Sequence, residues 1–186
     1  MVRALTERLL SAAGWTVHNE LPDDLDKCVV IGAPHTSNWD LAATLAVAAT
    51  LEIDFSWVGK REIFEGPYGG LMRRLGGVSV DRSRSHGYVE QLAEKLRRAE
   101  EMALVIAPEG TRSRGERWKS GFFYIAREAG VPICLGYVDY GRRQAGLGPL
   151  VDSSRPRDEV MGEIREFYAD KTGFRPDNFT PPTLSE

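Results

Sequence analysis

A chain of 186 residues, 42% of them apolar, can bury one sizeable core, so a single domain with a small appendage is expected. A formal net charge of −3 gives no electrostatic reason to expect a nucleic-acid partner. The longest apolar stretch, residues 41–51, falls far short of the roughly 20 residues a membrane-spanning helix needs, and residues 1–14 hold no secretory h-region.

Taken in chain order, residues 1–15 place Leu5, Leu9, Ala12 and Ala13 on one face of a helix. That helix is expected to pack on the domain, with a membrane-interface helix as the alternative. Apolar runs predict strands over 27–32, 55–59, 77–80, 103–107 and 131–139. Helical patterns lie between them, over 41–51, 67–75, 86–101 and 122–129, and Gly130 supplies a C-terminal stop for the last. A final amphipathic helix over 157–171 carries Val160, Ile164, Phe167 and Tyr168 at spacings of three and four. Past Gly173, the prolines at 176, 181 and 182 predict a tail extended over the surface.

Strands alternating with helices across short loops predict an α/β fold: a single domain with a mostly parallel central sheet flanked by helices. Residues 1–26 are read as a helix and lead-in, 27–172 as the catalytic-type domain and 173–186 as the tail. Cys28 and Cys134 fall in two of the strands and read as small core residues rather than a disulfide, metal or redox pair. A reduced, cytoplasmic protein is the simplest reading.

Chemistry concentrates where strands end. The stretch His35-Thr36-Ser37-Asn38-Trp39-Asp40 joins the strand over 27–32 to the helix over 41–51, the place where open α/β sheets carry their sites. In a continuous helix these two residues would point about 140° apart, so they meet only if the chain turns between them. Thr36, Ser37 and Asn38 favour such a turn. Asp40 in the first helical turn would then hold one ring nitrogen of His35, freeing the other to take a proton from a hydroxyl. On these residues alone, a turn cap and a helix cap remain an equal alternative.

Other strand ends have a similar character. Glu109-Gly110-Thr111-Arg112 follows the strand over 103–107, Arg82 follows 77–80, and Lys60 follows 55–59. Parallel strands would bring these ends to one edge, and a basic cluster in an acidic protein suits a small anionic substrate, with Arg112 offering a planar fork to a phosphate.

The four segments His35 to Asp40, Gly76 to Arg82, Glu109 to Arg112 and Val131-Pro132-Ile133, in that order, resemble the glycerolipid acyltransferases, the family of 1-acyl-glycerol-3-phosphate acyltransferase. The resemblance implies that family's α/β fold. It also implies an O-acyltransferase moving a fatty acyl group from acyl-CoA or acyl-carrier protein to a lysophospholipid hydroxyl. His35 would be the general base and Asp40 would orient it, while Lys60, Arg82, Glu109, Gly110, Thr111 and Arg112 would bind substrate. No metal and no cofactor beyond the thioester co-substrate are expected. Backbone amides following His35 would serve the oxyanion, and Phe64, Leu71, Phe122 and Phe123 are candidates for acyl-chain contacts, though each reads first as core. Three departures from the family pattern stand out. Ile133 leads into Cys134 where a second proline is common, and Val78-Ser79-Val80 lacks an aromatic before Asp81-Arg82. Only about 25 residues precede the first strand, which implies a soluble enzyme or one held peripherally at the inner face of the membrane. Two other classes are alternatives: a hydrolase using Ser37, for which no Gly-x-Ser-x-Gly elbow exists, and a lipid-binding module without turnover.

Overall fold

The computed structural model describes residues 2–80 and 85–184. Its elements are α1 (Val2–Ala12), β1 (Thr16–Asn19), β2 (Lys27–Ala33), α2 (Trp39–Leu51), β3 (Phe55–Lys60), α3 (Arg61–Glu65) and α4 (Gly69–Arg74). They continue with β4 (Gly77–Val80), α5 (Ser85–Arg98), β5 (Met102–Ile106), α6 (Gly121–Ala129), β6 (Ile133–Asp139), β7 (Gln144–Val151) and α7 (Arg157–Tyr168). A 3₁₀ turn, Pro176–Asn178, lies in the tail.

Seven strands make one sheet in the order β1-β7-β6-β2-β5-β3-β4. Five of them, β6, β2, β5, β3 and β4, run parallel, so their C-terminal ends share one edge. β7 runs antiparallel to β6, and β1 runs parallel to β7.

The apolar runs become central strands because both faces of the sheet are covered. Along β2, Val29 and Ile31 enter one core while Cys28 and Val30 enter the other; β5 repeats this with Leu104 and Ile106 against Ala103 and Val105. The first core is closed by α5, α6 and α7 through Leu96, Phe122, Ile125, Val160 and Ile164, all at or near full burial. The second lies under α2, whose Val47 and Ala48 meet Phe55 and Trp57, with Phe64 of α3 beside them. Cys28 and Cys134 are buried free thiols, and burial pushes Cys28 up to about 12.

Two strands were not anticipated. β1 has four residues and only partial burial, too short for a periodic signal. β7 contains Gly146, Gly148 and Pro149, residues that argue against a strand. Tertiary contacts explain each. A Cβ at Gly146 would sit 2.0 Å from the His18 carbonyl oxygen, and one at Gly148 would strike the Phe167 ring. Pro149 falls at the register shift between Cys134 and Gly136, where no ladder N–H is required of it.

Two further expectations are corrected. α1 does pack on α2, with Leu10 half-buried, but Leu5 and Leu9 of the expected packing face are 60% and 62% exposed. The tail is not simply draped over the surface: Thr180 is buried, and Leu184 bridges Trp118. Among the described residues, no helix is long and apolar enough to cross a membrane.

Candidate active site

β2 stops at Ala33 and α2 starts at Trp39, with Asn38 as its N-cap residue, so the intervening residues form the expected turn. They wrap a carboxylate. Oδ2 of Asp40 accepts the backbone N–H groups of Thr36 at 2.7 Å and Ser37 at 2.8 Å, and lies 3.4 Å from Nδ1 of His35. Oδ1 accepts the hydroxyl of Tyr140 at 3.1 Å. Asp40 is only 5% exposed, whereas the imidazole is 29% exposed and open to the outside. A carboxylate is favoured here both by these donors and by its place in the first turn of α2.

The same hydrogen bonds change one expectation. The amides of Thr36 and Ser37 serve Asp40, and that of Trp39 donates to Ser37 Oγ at 3.1 Å. These three of the amides following His35 are therefore occupied within the turn. Ser37 is buried, its hydroxyl oxygen occupied in capping the turn.

Glu109 also differs from expectation. It follows β5 but does not line the cavity described below. Its carboxylate is a strut: Oε1 accepts the backbone N–H of His35 at 2.5 Å and Oε2 accepts that of Thr180 at 3.1 Å. One buried side chain thus ties the histidine turn to the tail. Burial pushes its carboxyl up to about 7, the two amides and nearby His35 only partly offsetting this. The ordinary value is 4.5, so between about pH 4.5 and 7 the folded chain holds a proton the unfolded chain has released. This contribution to stability is present at low pH and is lost as pH rises toward 7, by roughly 3 kcal/mol across the window. Urea midpoints measured from pH 5 to 7.5 are expected to fall less steeply in Glu109→Gln than in the parent chain. Parallel slopes would show that Glu109 does not titrate in this range.

The tail meets the turn at further points. The Arg175 amide donates to Thr36 Oγ1 at 3.1 Å, the Trp118 indole N–H to the Thr180 carbonyl at 2.6 Å, and Asn178 Nδ2 to the Arg112 carbonyl at 3.0 Å. Nothing in the proline-rich tail sequence signals these bonds, because they follow no period.

Next to the dyad, Gly110 turns the chain through a left-handed conformation (φ 66°) against Lys119. This brings Arg112 back over α2, where its guanidinium donates to the side-chain oxygen of Asn38. Arg112 thereby borders the His35–Asp40 turn. Lys60, at the end of β3, completes the cationic side. Arg82 lies outside the described residues.

These groups surround a cavity of about 720 Å³. His35, Asp40, Lys60, Gly110, Thr111 and Arg112 line its polar part. Its inner walls are Val30, Val47, Phe55, Trp57, Val105 and Leu147, residues of the core under α2. The apolar residues suggested for an acyl chain lie elsewhere. Phe122 and Phe123 belong to the core on the opposite face of the sheet, Leu71 is half exposed, and Phe64 is buried against Trp57 without lining the cavity. Sequence periodicity marks such residues as apolar but cannot say which side of the sheet receives them. Tyr140 and Asn38 are the site residues that sequence reasoning missed. Among the described residues no three His, Cys, Asp or Glu side chains gather as a metal-binding group.

Compared with known proteins, the chain matches the family model described as Acyltransferase over residues 15–135, more than half its length. No curated protein sequence matches it. Among solved structures it is similar to that of the 1-acyl-sn-glycerophosphate (LPA) acyltransferase, PlsC, from Thermotoga maritima. The two share 20% identity and a TM-score of 0.57 over 89% of this chain and 74% of that one, a likeness of fold.

Proposed function

The chain belongs to the acyltransferase family and is an acyltransferase; from that premise we propose that it moves a fatty acyl group from acyl-CoA or acyl-carrier protein to a hydroxyl of a lysophospholipid such as 1-acyl-glycerol-3-phosphate. The observation that carries this reading is the His35–Asp40 pair opening onto one cavity with cationic groups on one side and apolar walls on the other. A phosphorylated, acylated substrate needs both surfaces.

In this mechanism Asp40 holds the proton on Nδ1 of His35, and Nε2 accepts the proton of the acceptor hydroxyl. The oxygen attacks the thioester carbonyl carbon as its C–O bond forms. The tetrahedral adduct collapses with cleavage of the C–S bond, and the departing thiolate takes the proton from His35. An ester and a free thiol result, and no protein nucleophile is consumed. Arg112 and Lys60 hold the acceptor's phosphate, with Arg82 assigned to the same task from its place in the sequence, and Gly110 and Thr111 shape the wall beside it. Peripheral contact with the membrane would bring the acceptor within reach.

The test is thiol release from acyl-CoA, measured with and without lysophospholipid. Release that requires the acceptor supports transfer. Release without it marks a hydrolase, and no release with any acceptor or carrier marks a binding module. In the same assay Arg112→Ala is expected to raise KM for a phosphorylated acceptor by about 10-fold or more, the loss of one charge-assisted contact, with KM for the thioester little changed. An unchanged acceptor KM would place the phosphate elsewhere.

A further inference from the structure

We propose that Tyr140 is a positioning residue of the acyl-transfer site, fixing the rotation of Asp40 so that the correct oxygen faces His35; the inference rests on the reading of His35 as the base. Tyr140 comes directly after β6, whose C-terminal end lies beside that of β2. Its hydroxyl donates to Asp40 Oδ1 at 3.1 Å.

An aspartate carboxylate turns freely about its last torsion, which has broad, two-fold preferences. Thr36 and Ser37 both donate to Oδ2, so they anchor one oxygen but leave the group able to pivot about it. A donor on Oδ1 removes the pivot. Oδ2 is then the oxygen presented to Nδ1 of His35, 3.4 Å away. The proton is held on Nδ1, and the Nε2 lone pair stays available to the acceptor hydroxyl.

Tyr140 is itself held from three sides. Its ring meets Trp15 and Phe174 edge-on, each at a centroid distance of 5.2 Å, and its amide donates to the Thr172 carbonyl at 2.9 Å. The lead-in before β1 and the tail therefore both help aim this hydroxyl. Burial beside Asp40 holds the phenol well above its ordinary range, so it remains a hydrogen donor at any working pH. Tyr140 does not line the 720 Å³ cavity, so it acts through Asp40 and not on substrate.

Tyr140→Phe deletes the donor and keeps the ring with both aromatic contacts. It is expected to lower kcat about 10-fold while leaving both KM values within about twofold, the pattern of a lost interaction that matters only in the chemical step. Nitrogen NMR of ring-labelled protein is expected to show the His35 proton redistributed from Nδ1 toward Nε2, with Tm nearly unchanged. His35 is one of three histidines, and its signals are assigned from their absence in His35→Ala. An unchanged kcat, or a fall in kcat with the tautomer unmoved, overturns the positioning role; with His35→Ala inactive, the base assignment still stands. Full activity in His35→Ala overturns both.

Discussion

His35→Ala is expected to lower kcat for acyl transfer by about 10²- to 10⁴-fold, the usual contribution of a positioned general base. The fold should survive this change. The imidazole is partly exposed, and the strut to Glu109 uses the backbone N–H of residue 35, which alanine retains. The loss should appear in kcat with acceptor KM nearly constant, since the cationic side of the cavity is untouched. Steady-state kinetics with a lysophospholipid acceptor, paired with thermal unfolding, give the answer. A variant that folds and turns over near the parent rate would remove the base from the mechanism.

Asp40→Ala is expected to lose both activity and stability, which separates its role from that of His35. The buried carboxylate satisfies the amides of Thr36 and Ser37, residues themselves nearly inaccessible to water. Removing it leaves two buried donors unpaired at about 1–3 kcal/mol each, so a destabilisation of roughly 2–6 kcal/mol should appear as a lower urea midpoint. Asp40→Asn provides the contrast. Its amide oxygen can still accept from the turn, and its NH2 can donate to a Tyr140 hydroxyl rotated to receive it. Stability should therefore be largely retained. The negative charge that stabilises imidazolium is gone, so kcat should fall between the parent and His35→Ala. Equal stability of the Ala and Asn variants would mean that the two amides find other partners.

Much of the parallel sheet was legible because buried strands on both faces require apolar runs, and β2, β3, β4 and β5 came within a residue of their predicted ends. α3 was not anticipated, and the pattern over 67–75 resolves into the shorter α4. The dyad was legible for a geometric reason. His35 and Asp40 can meet only across a turn, and the residues between them are turn formers. Glu109 was visible as a carboxylate after a strand, but the loop it braces was not: that contact is set by two backbone amides, 74 and 71 residues away along the chain. Tyr140 reaches Asp40 across 100 residues of chain, and no local pattern encodes such a meeting.

Local chemistry in the sequence thus determined which strand ends carry reactive side chains, that residues 36–38 turn, and that cationic groups accompany the histidine. Tertiary structure alone decided which face of the sheet received Phe122 and Phe123, how the glycines and proline of β7 fit into the sheet, and which oxygen of Asp40 meets which donor. Periodicity and turn preference arise within a few residues, whereas the aim of a side chain depends on groups brought together from segments that only folding makes neighbours.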